Sequence, residues 1–294
     1  MVKNVAFIGL GNMGTPISRH LLNAGFNVSG YDVVKEKGAA LESDGLRAAS
    51  SPADAAKGAD AVFTMLMRPE IIEDVLYGEQ GIVHAAEPGT IIVDMSTMSP
   101  AFQRKRFEEL RRRGFRPFEA PVSGSVPHAE ARALTIMAGG DESVFQELKP
   151  VFEAIGKNIY HMGDAGQGTL MKLLTNLILA VNLAGLLEGL ILGEKGGLKL
   201  DRMLDILVTG AAFSRVMEFK NELLKTREYV ERLQGSTELI TKDARYALEA
   251  GIELGVPLPH AALVLQDFIS SGVQGNTQKD YASLLDVLES RAGL

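Results

Sequence analysis

Short runs with strand character, separated by amphipathic stretches, dominate the first half of the chain. These runs cover residues 5–8, 26–32, 61–66, 90–94, 115–120 and 134–138. The most apolar of them suit strands that are covered on both faces of a parallel sheet. Between them, residues 69–77 have helical spacing, and Ser99-Pro100 predicts the start of a helix that ends near Gly114. The alternation predicts an α/β fold with a doubly wound parallel sheet.

Helical spacing replaces the strand runs from Gly166 to the end of the chain. The helical stretches are interrupted at residues 196–197, 210, 235 and 256–259. We therefore predict two domains, a doubly wound domain at 1–165 and an all-helical domain at 166–294. Chemistry is expected where the two domains meet.

Residues 173–193 are apolar enough to resemble a membrane span. Asn176, Asn182 and Glu188 interrupt the stretch, and three glycines lie within it. A long helix buried between protein layers explains this composition better than insertion into a bilayer, so no membrane partner is expected.

A glycine-rich loop, Gly9-Leu10-Gly11-Asn12-Met13-Gly14, follows the first run at once. Gly9 permits a tight turn off the strand, Gly11 removes the side chain where a pyrophosphate would approach, and Gly14 lets the next helix pack closely. The amides at that helix N-terminus favour negative charge. The loop therefore predicts a dinucleotide site.

Asp32 ends the second predicted strand, about 20 residues beyond the loop, where an acidic side chain meets the adenosine ribose. A carboxylate accepts hydrogen bonds from both ribose hydroxyls and repels a 2′-phosphate. Val33 and Val34 supply no arginine to hold that phosphate, although Lys35 and Lys37 lie nearby. NAD is therefore expected, and NADP is the less favoured alternative.

Composition excludes several classes of function. The chain has no cysteine and five scattered histidines, which excludes disulfides and predicts no metal site. The net charge of −7 argues against nucleic acid as a partner, and the basic residues of 104–113 are expected to form the solvated face of a helix. Because the first strand starts directly after Met1, no targeting segment is expected, and the expected location is cytoplasmic.

Four further segments carry candidate chemistry, namely residues 94–100, 120–125, 166–176 and 242–243. The first follows a predicted strand, where open α/β sheets bind ligands, and Ser99 can also cap a helix there. The hydroxyls and amides of 120–125 suit a carboxylate, although such a loop is often only a turn. Lys172 and Asn176 lie four residues apart, hence on one helix face, and need partners within an apolar segment. The alternative for Lys172 is a lysine whose amine reaches solvent, and the alternative for Lys242-Asp243 is a pair of exposed helix residues.

In this order the segments resemble the β-hydroxyacid dehydrogenase family. That family includes 3-hydroxyisobutyrate dehydrogenase, tartronate semialdehyde (2-hydroxy-3-oxopropionate) reductase, and the glyoxylate and succinic semialdehyde reductases. The resemblance spans essentially the whole chain. It is carried by Gly9–Gly14, Asp94–Thr97, Pro121–Gly124, Gly166–Gly168 with Lys172 and Asn176, Lys242-Asp243 and Lys279-Asp280-Tyr281.

The resemblance implies a Rossmann domain joined by a long interdomain helix to a helical domain that forms homodimers or homotetramers. It implies hydride transfer between NAD and a small 3-hydroxy acid or the matching semialdehyde. Lys172 matches the family's catalytic lysine, and a lysine can remove the hydroxyl proton in oxidation and return it in reduction. By the same match, substrate contacts fall on Ser123, Gly124 and Asn176, and further cofactor contacts on Met65, Leu66, Thr97 and Lys242.

The chain departs from the family pattern at positions that affect specificity. Ser125 replaces a glycine, as in the succinic semialdehyde and glyoxylate reductase branch, whereas Asp32-Val33 replaces the Asn-Arg of that branch. Arg132 stands where glycine is usual. It is expected to be either a solvated helix or turn residue, the commoner case for arginine, or part of a second site for an acidic group. An NADP-dependent glyoxylate or succinic semialdehyde reductase, and a non-catalytic dinucleotide-binding scaffold, therefore remain alternatives.

Overall fold

The computed structural model describes residues 2–294, which divide into a first unit that ends at Lys172 and a second unit, Leu173–Leu294. The division lies inside the helix Gln167–Lys195, a few residues beyond the boundary predicted at 165/166.

Six parallel strands form the main sheet of the first unit. They are β1 (Asn4–Ile8), β2 (Asn27–Tyr31), β3 (Arg47–Ala48), β4 (Ala61–Thr64), β5 (Ile91–Asp94) and β6 (Arg116–Glu119). Their order, β3-β2-β1-β4-β5-β6, reverses direction between β1 and β4. This order confirms the doubly wound Rossmann prediction, and it creates a crevice at the carboxyl ends of β1 and β4, where such sheets bind ligands.

Three other strands form a separate sheet. They are β7 (Val122–Ser123), β8 (Leu134–Ala138) and β9 (Gly156–His161). Strand β8 pairs antiparallel with β7 and parallel with β9, so the run at 134–138 does not continue the main sheet as predicted. Strand β9 escaped prediction because it is partly exposed and has no continuous apolar run.

Two short 3₁₀ helices, Glu42–Asp44 and Ile82–His84, lie in the first unit, and seven α-helices precede Gln167 there. The seven α-helices are α1 (Gly14–Asn23), α2 (Lys35–Ala39), α3 (Pro52–Ala56), α4 (Pro69–Tyr77), α5 (Pro100–Arg112), α6 (Val126–Glu130) and α7 (Glu142–Ile155). Helices α4 and α5 begin where the sequence predicts, and the Ser99 hydroxyl accepts the Phe102 amide at 3.2 Å. The core packs α1 and α7 against the sheets through residues such as Phe7, Ile17 and Phe152.

The second unit is built from helices and the loops that connect them, with short helical turns at Gly272–Asn276 and Tyr281–Ser283 besides its α-helices. Its helices are the greater part of α8 (Gln167–Lys195), then α9 (Leu200–Leu207), α10 (Arg215–Thr226), α11 (Thr237–Leu254), α12 (Pro259–Ser271) and α13 (Leu284–Ala292). Leu187, Leu224 and Phe268 are completely buried in its core.

Helix α8 is longer and less covered than the sequence suggests. Among residues 2–294 it is the one helix that is long and apolar enough to cross a membrane, and such a helix is weak support for a span. Only 33% of its most apolar window is buried, so the prediction of a helix enclosed between protein layers is wrong for the single chain.

Candidate active site

The glycine-rich loop joins β1 to α1 with the geometry that its three glycines predict. Gly9 has φ +102°, a left-handed conformation that favours glycine, and its amide donates to the Tyr31 carbonyl at 2.9 Å. A Cβ on Gly14 would collide with the Gly9 carbonyl and approach the Phe7 ring to 3.0 Å. A Cβ on Gly11 would meet no heavy atom within 4 Å. The loop therefore leaves open space where a pyrophosphate would approach, and a dinucleotide fits the residues present.

Asp32 ties the end of β2 to this loop. Its carboxylate accepts the Leu10 amide at 2.9 Å and the Val34 amide at 2.9 Å. The Lys37 ammonium lies 3.2 Å from both carboxylate oxygens. The Asp32 side chain is only 8% exposed, whereas Lys37 is 40% exposed, so the carboxylate is enclosed and the lysine side chain remains in contact with solvent.

The loops after β4 and β5 hold each other through Ser96. The Leu66 amide donates to the Ser96 hydroxyl at 2.9 Å, and the Met65 amide donates to the Ile8 carbonyl at 2.9 Å. Met65, Leu66 and the half-buried Thr97 therefore lie on loops at the carboxyl edge of β1, β4 and β5. This is the edge of the sheet at which the sequence predicts that the cofactor binds.

Asp94, at the end of β5, is the centre of a buried polar network beneath these loops. It accepts the Thr64 hydroxyl at 3.0 Å, the Gln103 amide at 2.9 Å and the Arg106 guanidinium at 2.6 Å. Arg106 is 3% exposed, so the prediction that the basic residues of α5 form a solvated face is wrong at this position. A buried arginine needs the carboxylate to offset the cost of removing it from water.

Ser123, which is half-buried, ends β7, and Gly124, which has φ +137°, begins the small-residue loop that follows. Ser125 and His128 form a capping box at the start of α6, and the Ser125 hydroxyl lies 3.0 Å from the His128 Nδ1. Ser125 therefore caps a helix, while Ser123 lies on the strand before it.

Arg132 does not extend toward a second anion site. Its Nε donates to the Ala154 carbonyl at 2.9 Å and its Nη2 to the Glu153 carbonyl at 3.1 Å, at the C-terminal end of α7. The backbone of Arg132 has φ +55°, one of two such non-glycine positions among residues 2–294. This left-handed conformation explains why glycine suits the position, and the guanidinium serves as a helix cap.

Lys172 lies in the second turn of α8 and is half-buried. The first turn of this helix is joined to the main sheet by Glu119, at the end of β6. The Glu119 carboxylate accepts the Thr169 amide at 3.1 Å and the Thr169 hydroxyl at 2.8 Å.

The second unit brings two other predicted residues together through Asp243. The Asn176 amide nitrogen donates to Asp243 Oδ2 at 2.5 Å, and the Lys242 ammonium lies 2.9 Å from Asp243 Oδ1. Asp243 is 2% exposed. It joins α8 to α11 and orients both polar side chains, so the Lys242-Asp243 pair is not merely an exposed ion pair.

Glu119 and Asp243 are site residues whose roles the sequence did not predict. Glu119 lies 50 residues before its partner Thr169, and Asp243 lies 67 residues after Asn176. Among residues 2–294, no cluster of three or more acidic or histidine side chains has the arrangement of a metal site.

The fold and the glycine-rich cradle define a dinucleotide-binding Rossmann protein, and comparison with known proteins specifies its family. The family model for the NAD binding domain of 6-phosphogluconate dehydrogenase matches residues 4–163. The model described as NAD-binding of NADP-dependent 3-hydroxyisobutyrate dehydrogenase matches residues 166–288.

Individual relatives match over nearly their whole length. The chain is 38% identical to 2-(hydroxymethyl)glutarate dehydrogenase of Eubacterium barkeri, over 99% of this chain and 96% of that protein. It is 33% identical to 2-hydroxy-3-oxopropionate reductase of Escherichia coli, over 98% of each. The crystal structure of 3-hydroxyisobutyrate dehydrogenase from Salmonella typhimurium has a TM-score of 0.88 at 28% identity, over 97% of this chain and 99% of that one.

The chain therefore belongs to the β-hydroxyacid dehydrogenase family, the family of 3-hydroxyisobutyrate dehydrogenase. It is an oxidoreductase of the alcohol-oxidising type whose family binds a nicotinamide dinucleotide.

Proposed function

We propose that the protein transfers a hydride between NAD and a small 3-hydroxy acid or the matching semialdehyde. The observation that carries this proposal is the open cradle at Gly11, at the switch point of the sheet, in a chain of this family. A dinucleotide bound with its pyrophosphate there would supply a nicotinamide that accepts the hydride from an alcohol or returns it to a carbonyl. The rest of the chemistry is proton transfer, charge stabilisation and orientation, which side chains supply.

Lys172 is the proposed general acid and base. In oxidation its Nζ takes the proton from the substrate hydroxyl, and in reduction it returns a proton to the oxygen that becomes the hydroxyl. A cationic Nζ also stabilises negative charge as it develops on that oxygen. Its position on the rigid helix α8, one turn beyond the Glu119–Thr169 contact, supports this role.

Ser123 and Gly124 are proposed to bind the substrate carboxylate. Left-handed Gly124 and the hydroxyl of Ser123 provide a small-residue loop with exposed backbone, which suits close approach of an anion. Asn176 is proposed to orient the substrate, because Asp243 fixes its amide group.

NAD is the proposed cofactor, held by the loop Gly9-Leu10-Gly11-Asn12-Met13-Gly14, Asp32, Met65, Leu66, Thr97 and Lys242. The enclosed carboxylate of Asp32 favours ribose hydroxyls over a 2′-phosphate. NADP is the second candidate, because the partly exposed ammonium of Lys37 lies beside Asp32 and would attract a phosphate.

We also propose that the protein is a homo-oligomer built on α8. Exposed Ile178 and Leu192, 59% and 76% accessible, extend an apolar face along the helix. Beside it lies a groove of about 480 Å³, lined by residues that include Val181, Leu186 and Met217. A second copy of the chain would cover this face, as monomers seldom leave such large apolar patches in water.

The direct test of the proposed reaction is a substrate and cofactor panel with the purified protein. Short 3-hydroxy acids are assayed with NAD and NADP, and the matching semialdehydes with NADH and NADPH. We expect turnover with a small 3-hydroxy acid and a higher kcat/KM with NAD than with NADP. Dinucleotide binding with no turnover of any substrate in the panel would instead support a non-catalytic scaffold.

A further inference from the structure

Glu119 has a completely buried carboxylate, although none of the cofactor or substrate roles described above falls on it. Its two oxygens accept the amide and the hydroxyl of the same residue, Thr169, at 3.1 and 2.8 Å. This pair joins the end of β6 to the first turn of α8.

The amide of Thr169 is one that a helix cannot satisfy by itself. The Gly166 carbonyl accepts the Leu170 amide at 2.9 Å, so Gly166 is the N-cap of α8 and Thr169 is the third residue of the helix. At the N-cap, a Ser, Thr, Asp or Asn side chain usually accepts the amide of that residue. Gly166 has no side chain, its φ is +88°, and a Cβ there would lie 3.1 Å from the Pro100 carbonyl oxygen. Glu119 performs the N-cap's function from another element of the fold.

Two glycines shape the space around the carboxylate. A Cβ on Gly139 would lie 2.5 Å from Glu119 Oε1. A Cβ on Gly168 would lie 3.1 Å from the same oxygen and would collide with the Met137 carbonyl. Gly139 and Gly168 therefore leave the space that the Glu119 carboxylate occupies between the end of β6 and the start of α8.

We propose that Glu119 is a positioning residue, which fixes the height and rotation of α8 where the helix presents Lys172. The inference rests on the proposed role of Lys172 in proton transfer. Thr169 and Lys172 are three residues apart and lie on neighbouring positions of one helix face. Since a displacement of about 1 Å at a reacting group can cost about 100-fold in rate, a frayed first turn would lower kcat.

The contact requires the shape of the glutamate side chain more than its charge. Arg106 of α5 attracts the carboxylate, Asp94 of β5 repels it, and burial raises its pKa. The side-chain amide of a glutamine can accept the Thr169 N–H and donate to the Thr169 hydroxyl oxygen. Glutamine should therefore preserve the contact, and leucine, of similar size, should abolish it.

The test compares four variants of the full-length protein, Glu119→Gln, Glu119→Leu, Thr169→Val and Thr169→Ser. We expect Glu119→Leu to lower kcat about 10- to 100-fold, and Thr169→Val by about 10-fold. Glu119→Gln and Thr169→Ser should stay within about threefold of wild type. The NADH dissociation constant should change less than threefold throughout, and amide exchange of residues 167–172 should accelerate in the two variants with low kcat.

Thr90→Val is the matched control for Thr169→Val. Thr90 is also buried, at 5% exposure, and its hydroxyl bonds the Ala59 carbonyl near the opposite end of the sheet. The Thr90→Val variant should leave kcat and the amide exchange of residues 167–172 unchanged. If Glu119→Leu fails to fold, Thr169→Val decides the question, and a wild-type kcat in Thr169→Val would overturn the inference.

A Lys172→Ala background separates this inference from the proposed function. Adding Thr169→Val to Lys172→Ala should lower turnover less than twofold below that of Lys172→Ala alone, because the two changes affect the same step. Full additivity would show that Thr169 and Glu119 act independently of Lys172, which overturns the positioning role alone. Wild-type turnover in Lys172→Ala would instead contradict the proposed function.

Discussion

Replacing Arg132 separates backbone strain from side-chain contacts, because both glycine and alanine remove the two guanidinium hydrogen bonds to Glu153 and Ala154. In the folded state the two variants differ in how well they tolerate φ +55°. A left-handed conformation costs a residue with a Cβ about 1–2 kcal/mol. Glycine gains freedom in the unfolded chain, which offsets about 0.4–1 kcal/mol of that difference. We therefore expect Arg132→Gly to be about 1 kcal/mol more stable than Arg132→Ala.

The measurement is urea-induced unfolding followed by far-ultraviolet circular dichroism, with thermal unfolding as a second readout. About 1 kcal/mol corresponds to roughly 2 °C in Tm for a chain of 294 residues, at about 2.1 cal/mol/K of unfolding entropy per residue. Lys105 provides the control, because it is exposed in the middle of α5. At Lys105 the order should reverse, with alanine about 1 kcal/mol more stable than glycine.

The same variants test the hypothesis of a second anion site at Arg132. Because the guanidinium caps α7, Arg132→Gly should change kcat/KM equally for substrates with one and with two acidic groups. Equal stability of Arg132→Gly and Arg132→Ala would refute the strain argument. A loss of tenfold or more confined to the diacids would refute the capping role.

Three further outcomes follow from the geometry. Asp32→Asn should raise the ratio of NADP to NAD kcat/KM at least tenfold, because a neutral amide no longer repels the 2′-phosphate; an unchanged ratio would contradict the role of Asp32. Burial raises the pKa of Glu119, so the folded state favours the protonated carboxyl. The stability that this preference contributes is fully present below the unfolded pKa of about 4.5 and is lost as the pH rises through the folded pKa. The free energy of unfolding of wild type, relative to that of Glu119→Gln, should therefore fall as the pH rises from 4 to 7. The fall should be about 1.4 kcal/mol for each unit by which folding raises the pKa. Urea unfolding at each pH measures it, and a relative free energy that increases with pH would contradict the prediction. Ile178→Lys or Leu192→Lys should convert the oligomer to monomer in light scattering, whereas a wild type that is monomeric in solution and binds vesicles would refute the oligomer proposal.

The parts of the site that sequence predicts are those in which neighbouring residues act together. The glycine-rich loop is one of these, because the turn, the open space and the helix start all lie within Gly9–Gly14. Helices α4 and α5 are predicted for the same reason, since Pro69 marks the start of α4, and Pro100 with the Ser99 cap marks the start of α5.

The unpredicted features depend on contacts between distant residues. Arg106 belongs to a run of basic residues, and only its contact with Asp94 shows that it is buried. Glu119 looks like an ordinary polar residue at a strand end until Thr169 is placed beside it. Strand β9 has no apolar run, because it is the edge strand of a small sheet and its side chains are partly exposed.

The central claim is that Lys172 performs the proton transfer, and comparison of Lys172→Ala with Lys149→Ala tests it most directly. Lys149 is exposed on α7, so its replacement controls for the loss of a lysine. On the best substrate of the panel, Lys172→Ala should fold, bind NADH with near wild-type affinity and lose about 10²- to 10⁴-fold in kcat, while Lys149→Ala retains full activity. A kcat within threefold of wild type in a folded, NADH-binding Lys172→Ala variant would contradict the account.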